Sequence, residues 1–186
     1  MSALRLWQRF EDRSGEWRLC LACNRWAARG AVTRLFGLVS RLGDGLFWYA
    51  LMGLLALAGG VRGATAALHM ALTGLTALGL YRWLKRWTRR PRPFRAHHGI
   101  VARVPPLDEF SFPSGHTLHA VSFSLVAIAY VPWLVFVLAP FTALVAASRV
   151  VLGLHYPSDV LAASAIGVAL ASLSLWLVPG VSLFAC

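Results

Sequence analysis

Acidic side chains are scarce in this 186-residue chain: seven Asp and Glu stand against 18 Lys and Arg, for a net charge of +11. So few carboxylates, scattered along the chain, form no cluster able to hold magnesium, and we expect neither a metal nor a cofactor. Cysteine is scarcer still, at three residues. Cys20 and Cys23 make one C-x-x-C and Cys186 is left over. Without a second pair or nearby histidines this is no zinc site, and outside a βαβ context it is no thioredoxin-like motif, so all three read as small apolar residues. There is no repeat of solenoid length and no low-complexity tract. Residues 1–41 carry eight arginines among their apolar residues and lack the pattern of a cleaved secretory signal. The basic charge does not point to nucleic acid either, because the arginines flank or interrupt apolar runs and no basic patch with base-stacking aromatics stands apart from them.

Charge of either sign is also thin: 13% of residues are charged and 58% hydrophobic, with a mean hydropathy of +0.64. Those values lie outside the usual soluble range and make a membrane protein the default. Apolar runs recur at 46–61, 64–81, 117–133, 134–148 and 160–178, each close to the roughly 20 residues a spanning helix needs. The expected fold is therefore all-α, a polytopic membrane helix bundle of about five transmembrane helices. A sixth would have to lie within 17–40, where Arg18, Arg25, Arg29 and Arg34 argue against it. Upstream, Leu4, Trp7 and Phe10, and then Val32, Leu35, Phe36 and Val39, recur at helical spacing. Residues 1–41 thus read as amphipathic helices at the bilayer interface, or else as helices with a solvated polar face.

Three polar islands interrupt the apolar pattern, each at the end of an expected span. In the first, 85–93, a helix arriving from residue 64 should end near Arg90, since the residue before a proline is pushed from the α region and Pro93 keeps the chain extended. Lys85 then projects from a helix end and Arg92 from an extended strap, so that two cations can grip one phosphate; the alternative is simple anchoring at the headgroups. The second island, Phe112-Pro113-Ser114-Gly115-His116, leads into an apolar helix. Ser114 suits the N-cap, Gly115 lets the backbone approach a ligand, and the helix N-terminus attracts an anion beside His116. His119, His69, His97 and His98 read as structural. The third island, 148–159, holds Arg149, His155 and Asp159 between two spans, where ionisable groups are expensive and tend to be functional. Pro157 suits the first turn of the last helix. Asp159, one turn beyond His155, can accept the Nδ1 proton and leave Nε2 free to attack, unless the two form a structural pair.

Together these spacings, Lys85-x6-Arg92-Pro93, Pro113-Ser114-Gly115-His116 and Ser148-Arg149-x5-His155-x3-Asp159, closely resemble the tripartite signature of the type 2 phosphatidic acid phosphatase family, whose fold is shared with vanadium haloperoxidases and glucose-6-phosphatase. The resemblance runs from about residue 46 to 178. It implies a metal-independent membrane enzyme that removes phosphate from a lipid phosphate or pyrophosphate. In that reading His155 attacks phosphorus to give a phosphohistidine, Asp159 orients it, and His116 protonates the leaving oxygen and then activates water. Lys85, Arg92, Arg149, the Ser114 hydroxyl and the Gly115 N–H hold the phosphoryl oxygens. Residues 1–41 are then an interfacial segment and 42–186 a transmembrane lipid phosphatase domain.

The implied partners are the bilayer and a membrane lipid phosphate such as undecaprenyl pyrophosphate, phosphatidylglycerol phosphate or phosphatidic acid; nothing specifies an oligomeric state. The implied location is a bacterial inner membrane with the site facing the periplasm or exterior. Charge bias argues the other way: with five spans every basic residue except Arg62 shares one face, which the positive-inside rule assigns to the cytoplasm. Three other activities share these islands: phosphoryl transfer to a second lipid, halide oxidation on bound vanadate, and non-catalytic anion binding, which has no need of the His116, His155 and Asp159 set.

Overall fold

The computed structural model describes Trp7 and residues 15–178; Leu4 and Phe10 of the first amphipathic stripe, and Cys186, lie outside the described residues. Among the described residues the chain is all-α. Helix α1 (Glu16–Trp26) and α2 (Gly30–Arg41) lead through a π-helical turn, Leu42–Leu46, into α3 (Phe47–Ala58). Then come α4 (Gly60–Thr88), the single turn α5 (Pro93–Ala96), α6 (Gly115–Tyr130), α7 (Val135–Val151) and α8 (Pro157–Trp176).

The apolar sequence explains the layering. Helix α6 is the axis of the bundle, packing against α4, α7 and α8, with Leu118, Ala120, Val126 and Ala127 fully buried. Such close approach needs small residues on the facing helices, since packing between membrane helices rests on van der Waals contact rather than on expulsion of water. A Cβ at Gly74 of α4 would lie 2.6 Å from the Phe123 ring, and one at Gly167 of α8 would lie 3.0 Å from the Leu118 carbonyl. Gly74→Val should therefore cost about 1–3 kcal/mol through overpacking, read as a lowered unfolding temperature in detergent; an unchanged transition would contradict this packing.

Among the described residues, three helical segments are long and apolar enough to cross a membrane: Gly60–Ala96, Pro132–Val151 and Pro157–Trp176. The expected spans 46–61 and 117–133 correspond to α3 and α6, of 12 and 16 residues. Large apolar side chains stay exposed around the bundle, among them Leu54, Leu57, Leu68, Leu72, Phe136, Leu161 and Leu173. Exposed tryptophans bracket that belt, with Trp83 and Trp87 near the end of α4 and Trp133 and Trp176 at the far ends of α6 and α8. The 20 residues of α8 rise about 30 Å, close to the thickness of a hydrocarbon core, and aromatic rings at both boundaries suit a bilayer.

Several expected boundaries correspond closely to those observed. Helix α4 ends at Thr88 and is capped by Arg89 in the left-handed region (φ 48°), and Arg92 is extended (φ −79°, ψ 153°). Pro93, however, does not prolong the extended strap. It opens α5 at the first helical position, where its missing N–H costs nothing.

The N-terminal helices are not detached from this bundle: α1 and α2 both pack on α7. Of the second stripe, Phe36 and Val39 are buried, whereas Leu35 is 54% exposed beside Leu38. Asn24 of α1 is buried and clamps Val101 from both sides, accepting its N–H at 2.9 Å and donating to its carbonyl at 2.8 Å. Burial, with Glu16 adding to it, raises the Cys20 thiol far above its ordinary pKa, and burial also raises Cys23. Both cysteines are free, and both stay protonated, in keeping with their reading as small apolar residues.

Candidate active site

A cavity of about 810 Å³ opens between α3, α4 and α6, and six of the eight residues singled out in the three islands line it: Lys85, Arg92, Gly115, His116, Arg149 and His155. Ser114 and Asp159, both fully buried, stand behind that lining. The remaining wall is largely apolar, with Trp48, Met52, Leu75, Leu78 and Phe123.

The third island folds as its spacing suggests, with Pro157 at the first position of α8 and Asp159 at the third. Asp159 closes a capping box by accepting the Tyr156 N–H on Oδ2 at 2.9 Å. Its Oδ1 accepts from Arg90 Nη1 at 2.7 Å, in a pair with no solvent exposure on either side chain. Both carboxylate oxygens are thus engaged, and Nδ1 of His155 lies 3.6 Å from Oδ2, beyond a hydrogen bond. The expected His155–Asp159 hydrogen bond is therefore open here, because Asp159 serves the helix cap and Arg90 first. Contacts of this kind are often long before substrate is bound.

The other nitrogen of His155 is more informative. Nε2 lies 3.3 Å from Nη1 of Arg92, which also donates to the Leu154 carbonyl at 2.8 Å. Arginine has only donors, so Nε2 is the acceptor and the ring proton sits on Nδ1, facing Asp159. Burial first, and then the charges of Arg92, Arg149 and Lys85, hold the imidazole well below its usual pKa, so it is neutral at pH 7. The unprotonated nitrogen is thus the one among the cations.

Ser114 occupies the N-cap of α6 with extended backbone angles, but its hydroxyl meets the Thr117 hydroxyl at 2.9 Å instead of a backbone N–H. The first turn of α6 brings Gly115 and His116 to the cavity. His119, one turn on, is held by backbone carbonyls, with Nδ1 2.9 Å from Gly115 O and Nε2 3.2 Å from Gly74 O. His69 lies 3.2 Å from the Tyr130 hydroxyl, and His97 stacks on Trp17. His119 lines the cavity but both its ring nitrogens face backbone carbonyls, and His69 and His97 are not part of the lining.

Four residues in this neighbourhood carry no signal in sequence spacing. Arg90, read only as a helix end, is the counter-charge of Asp159. It also donates to Ser158 Oγ at 2.7 Å and pairs with Glu16, with Trp7 and Tyr156 rings 4.6 and 4.0 Å from its guanidinium carbon. Ser40 of α2 accepts from Arg149 Nη1. Asp44, swung toward the cavity by the π-helical turn and Gly45 (φ 129°), places Oδ1 3.5 Å from His116 Nε2. Burial raises the Asp44 pKa, and Arg149 partly offsets it. Asp108, between α5 and α6, bridges Lys85 and Arg92.

Phosphatidylglycerophosphatase B of Escherichia coli K12 is 27% identical over 58% of this chain and 58% of its own length, and undecaprenyl-diphosphatase BcrC of Bacillus subtilis strain 168 is 33% identical over 50% of this chain and 48% of its own. The chain thus spans about half to three fifths of the length of these two relatives. The crystal structure of a transmembrane PAP2 type phosphatidylglycerolphosphate phosphatase from Bacillus subtilis superposes with a TM-score of 0.72 at 24% identity, covering 89% of this chain and 85% of that one, and so shares its fold. The PAP2 superfamily model matches residues 63–182, a stretch that takes in all three polar islands and the helices presenting them, and the chain belongs to the PAP2 superfamily.

Proposed function

We propose that this protein is an integral membrane phosphatase that hydrolyses a lipid phosphate or lipid pyrophosphate through a phosphohistidine on His155, without a metal. The observation that carries the reading is the composition of one cavity: a floor with Lys85, Arg92, Arg149 and two histidines beneath an apolar wall. Such a cavity suits a ligand with an anionic head and a hydrocarbon tail.

In the proposed reaction His155 Nε2 attacks phosphorus, and an N–P bond forms as the P–O bond to the lipid, or to its inner phosphate, breaks. Burial and then Arg149 push the His116 pKa down to about 2 before substrate binds, so His116 takes up a proton as the phosphate dianion binds and gives it to the departing oxygen. Water, deprotonated by His116, then attacks phosphorus and releases inorganic phosphate and neutral imidazole. Phosphoryl transfer needs chiefly alignment and stabilisation of charge, which three fixed cations and a helix N-terminus can supply. Arg149 has capacity for this: it is buried, and its Nε has no hydrogen-bond partner among the described residues. Residues 1–41 are the interfacial segment of the same molecule in this reading, and the bilayer is its solvent.

Phosphate release from phosphatidylglycerol phosphate, phosphatidic acid and undecaprenyl pyrophosphate in detergent tests the activity and identifies the substrate. Turnover should persist in excess EDTA, and orthovanadate should inhibit by occupying the five-coordinate geometry at phosphorus. Activity lost in EDTA and restored by magnesium would overturn the metal-free mechanism. Label moving to a second lipid with no free phosphate would show a phosphotransferase instead.

A further inference from the structure

The two cations offered to phosphate already hold an anion. Lys85 Nζ donates to Asp108 Oδ1 at 2.7 Å, to Asp108 Oδ2 at 2.9 Å and to the Phe110 carbonyl at 2.8 Å, which uses all three of its N–H groups. Arg92 donates to Asp108 Oδ1 from Nη2 at 2.6 Å and to the Asp108 carbonyl from Nε at 3.1 Å. Oδ1 thus bridges both cations and Oδ2 adds a second contact to Lys85, positions that phosphoryl oxygens could take instead. The partners differ in freedom. The side chains of Lys85 and Arg92 are 7% and 1% exposed, whereas that of Asp108 is 37% exposed and lines the mouth of the cavity that His155 also lines. Burial alone would raise the Asp108 pKa, but Lys85 and Arg92 outweigh it and hold the carboxyl ionised.

We propose that Asp108 is a specificity-determining residue: a tethered carboxylate that occupies the phosphoryl position on Lys85 and Arg92 and yields it only to a dianionic phosphate. This rests on the phosphatase reading above and adds what the site rejects. A phosphate monoester carries close to two negative charges and three free oxygens, so it gains more from two cations than a carboxylate does. A phosphodiester headgroup carries one charge and two free oxygens, no more than Asp108 itself, and the tether gives the carboxylate the higher local concentration. Phosphodiester lipids make up most of a phospholipid bilayer. A built-in competitor of equal charge keeps them out of the site, which is discrimination by opposing the wrong ligand.

The test uses the full chain in detergent micelles, with orthovanadate and inorganic phosphate as head-group probes and phosphatidylglycerol, a phosphodiester, as the lipid probe. Asp108→Asn removes the charge and keeps the shape. It should tighten vanadate and phosphate binding by about tenfold or more and turn phosphatidylglycerol from a weak competitor into an effective one. Asp108→Glu, which restores the charge on a longer tether, should recover part of the discrimination. Glu109→Gln, which neutralises the adjacent carboxylate on the same cavity wall but one paired with the exposed Arg95 at 3.3 Å, should tighten either probe far less than Asp108→Asn. Unchanged or weaker vanadate binding in Asp108→Asn, with the wild type binding normally, would overturn the proposal and make Asp108 a positioning residue for the two cations. If neither the wild type nor any variant bound vanadate or phosphate, the phosphate-site reading itself would fall, and this proposal with it.

Discussion

Arg90→Ala should destabilise the fold by about 3–5 kcal/mol, the largest stability effect expected of any single substitution here, because it leaves a fully buried carboxylate without its counter-charge. The pair with Asp159 has no exposure on either side, and the same guanidinium ties Ser158 and Glu16 to the end of α4. Its flat faces are also occupied, by Trp7 and Tyr156. Arg90→Lys should recover only part of the loss, since an ammonium restores the charge but neither the fork that reaches Asp159, Ser158 and Glu16 nor the stacking on two rings. Thermal unfolding in detergent reads both variants. A transition for Arg90→Ala within about 0.5 kcal/mol of the wild type, the range of ordinary surface substitutions, would show that this network is peripheral to the fold.

The second large effect separates the two histidines. On the proposed mechanism His155→Ala has no covalent step and should show no measurable turnover on any substrate. His116→Ala should lose about 10²–10⁴-fold on a lipid phosphate, the usual contribution of a general acid, and much less on an aryl phosphate whose phenol leaves without a proton. The surroundings of the two rings overlap but differ in one partner. The unprotonated nitrogen of His155 is presented among Arg92, Arg149 and Lys85, whereas His116, also lowered by burial and then Arg149, has Asp44 3.5 Å away at the start of α6 and becomes an acid once a phosphate dianion is bound. A plot of rate against leaving-group pKa should therefore flatten for the wild type and steepen for His116→Ala. Rescue of His155→Ala by a good leaving group, with His116→Ala dead throughout, would reverse the assignment.

How much of this was legible in the sequence depends on how far apart the partners lie in the chain. The helix end before Arg90, the extended strap at Arg92, the N-cap position of Ser114 and the place of Pro157 in the first turn of α8 all follow from neighbours within a few residues, where proline geometry and capping rules operate. The convergence of the islands on one cavity followed from their shared position at span ends. Arg90 and Arg92 show the limit. Two residues apart on a non-helical strap, they point into different networks, one to Asp159 and Glu16, the other to Asp108 and His155, and no local rule distinguishes them. Glu16, Asn24 and Ser40 lie in the segment expected to be interfacial, yet their side chains meet partners more than 70 residues away. Asp44 reaches His116 through a π-helical turn, which simple helical periodicity does not forecast. The length of α3 was equally hidden, since an apolar run does not reveal that Gly59 and Gly60 break the helix after 12 residues.

If the phosphoryl group passes to His155, rapid quenching of the enzyme with a substrate labelled in that group, followed by mapping of the label, will find it there. Wild type should carry an acid-labile phosphate on a peptide containing His155, present in EDTA and released as inorganic phosphate on the timescale of turnover. Label recovered at another residue, or undiminished labelling of His155→Ala, would contradict the mechanism.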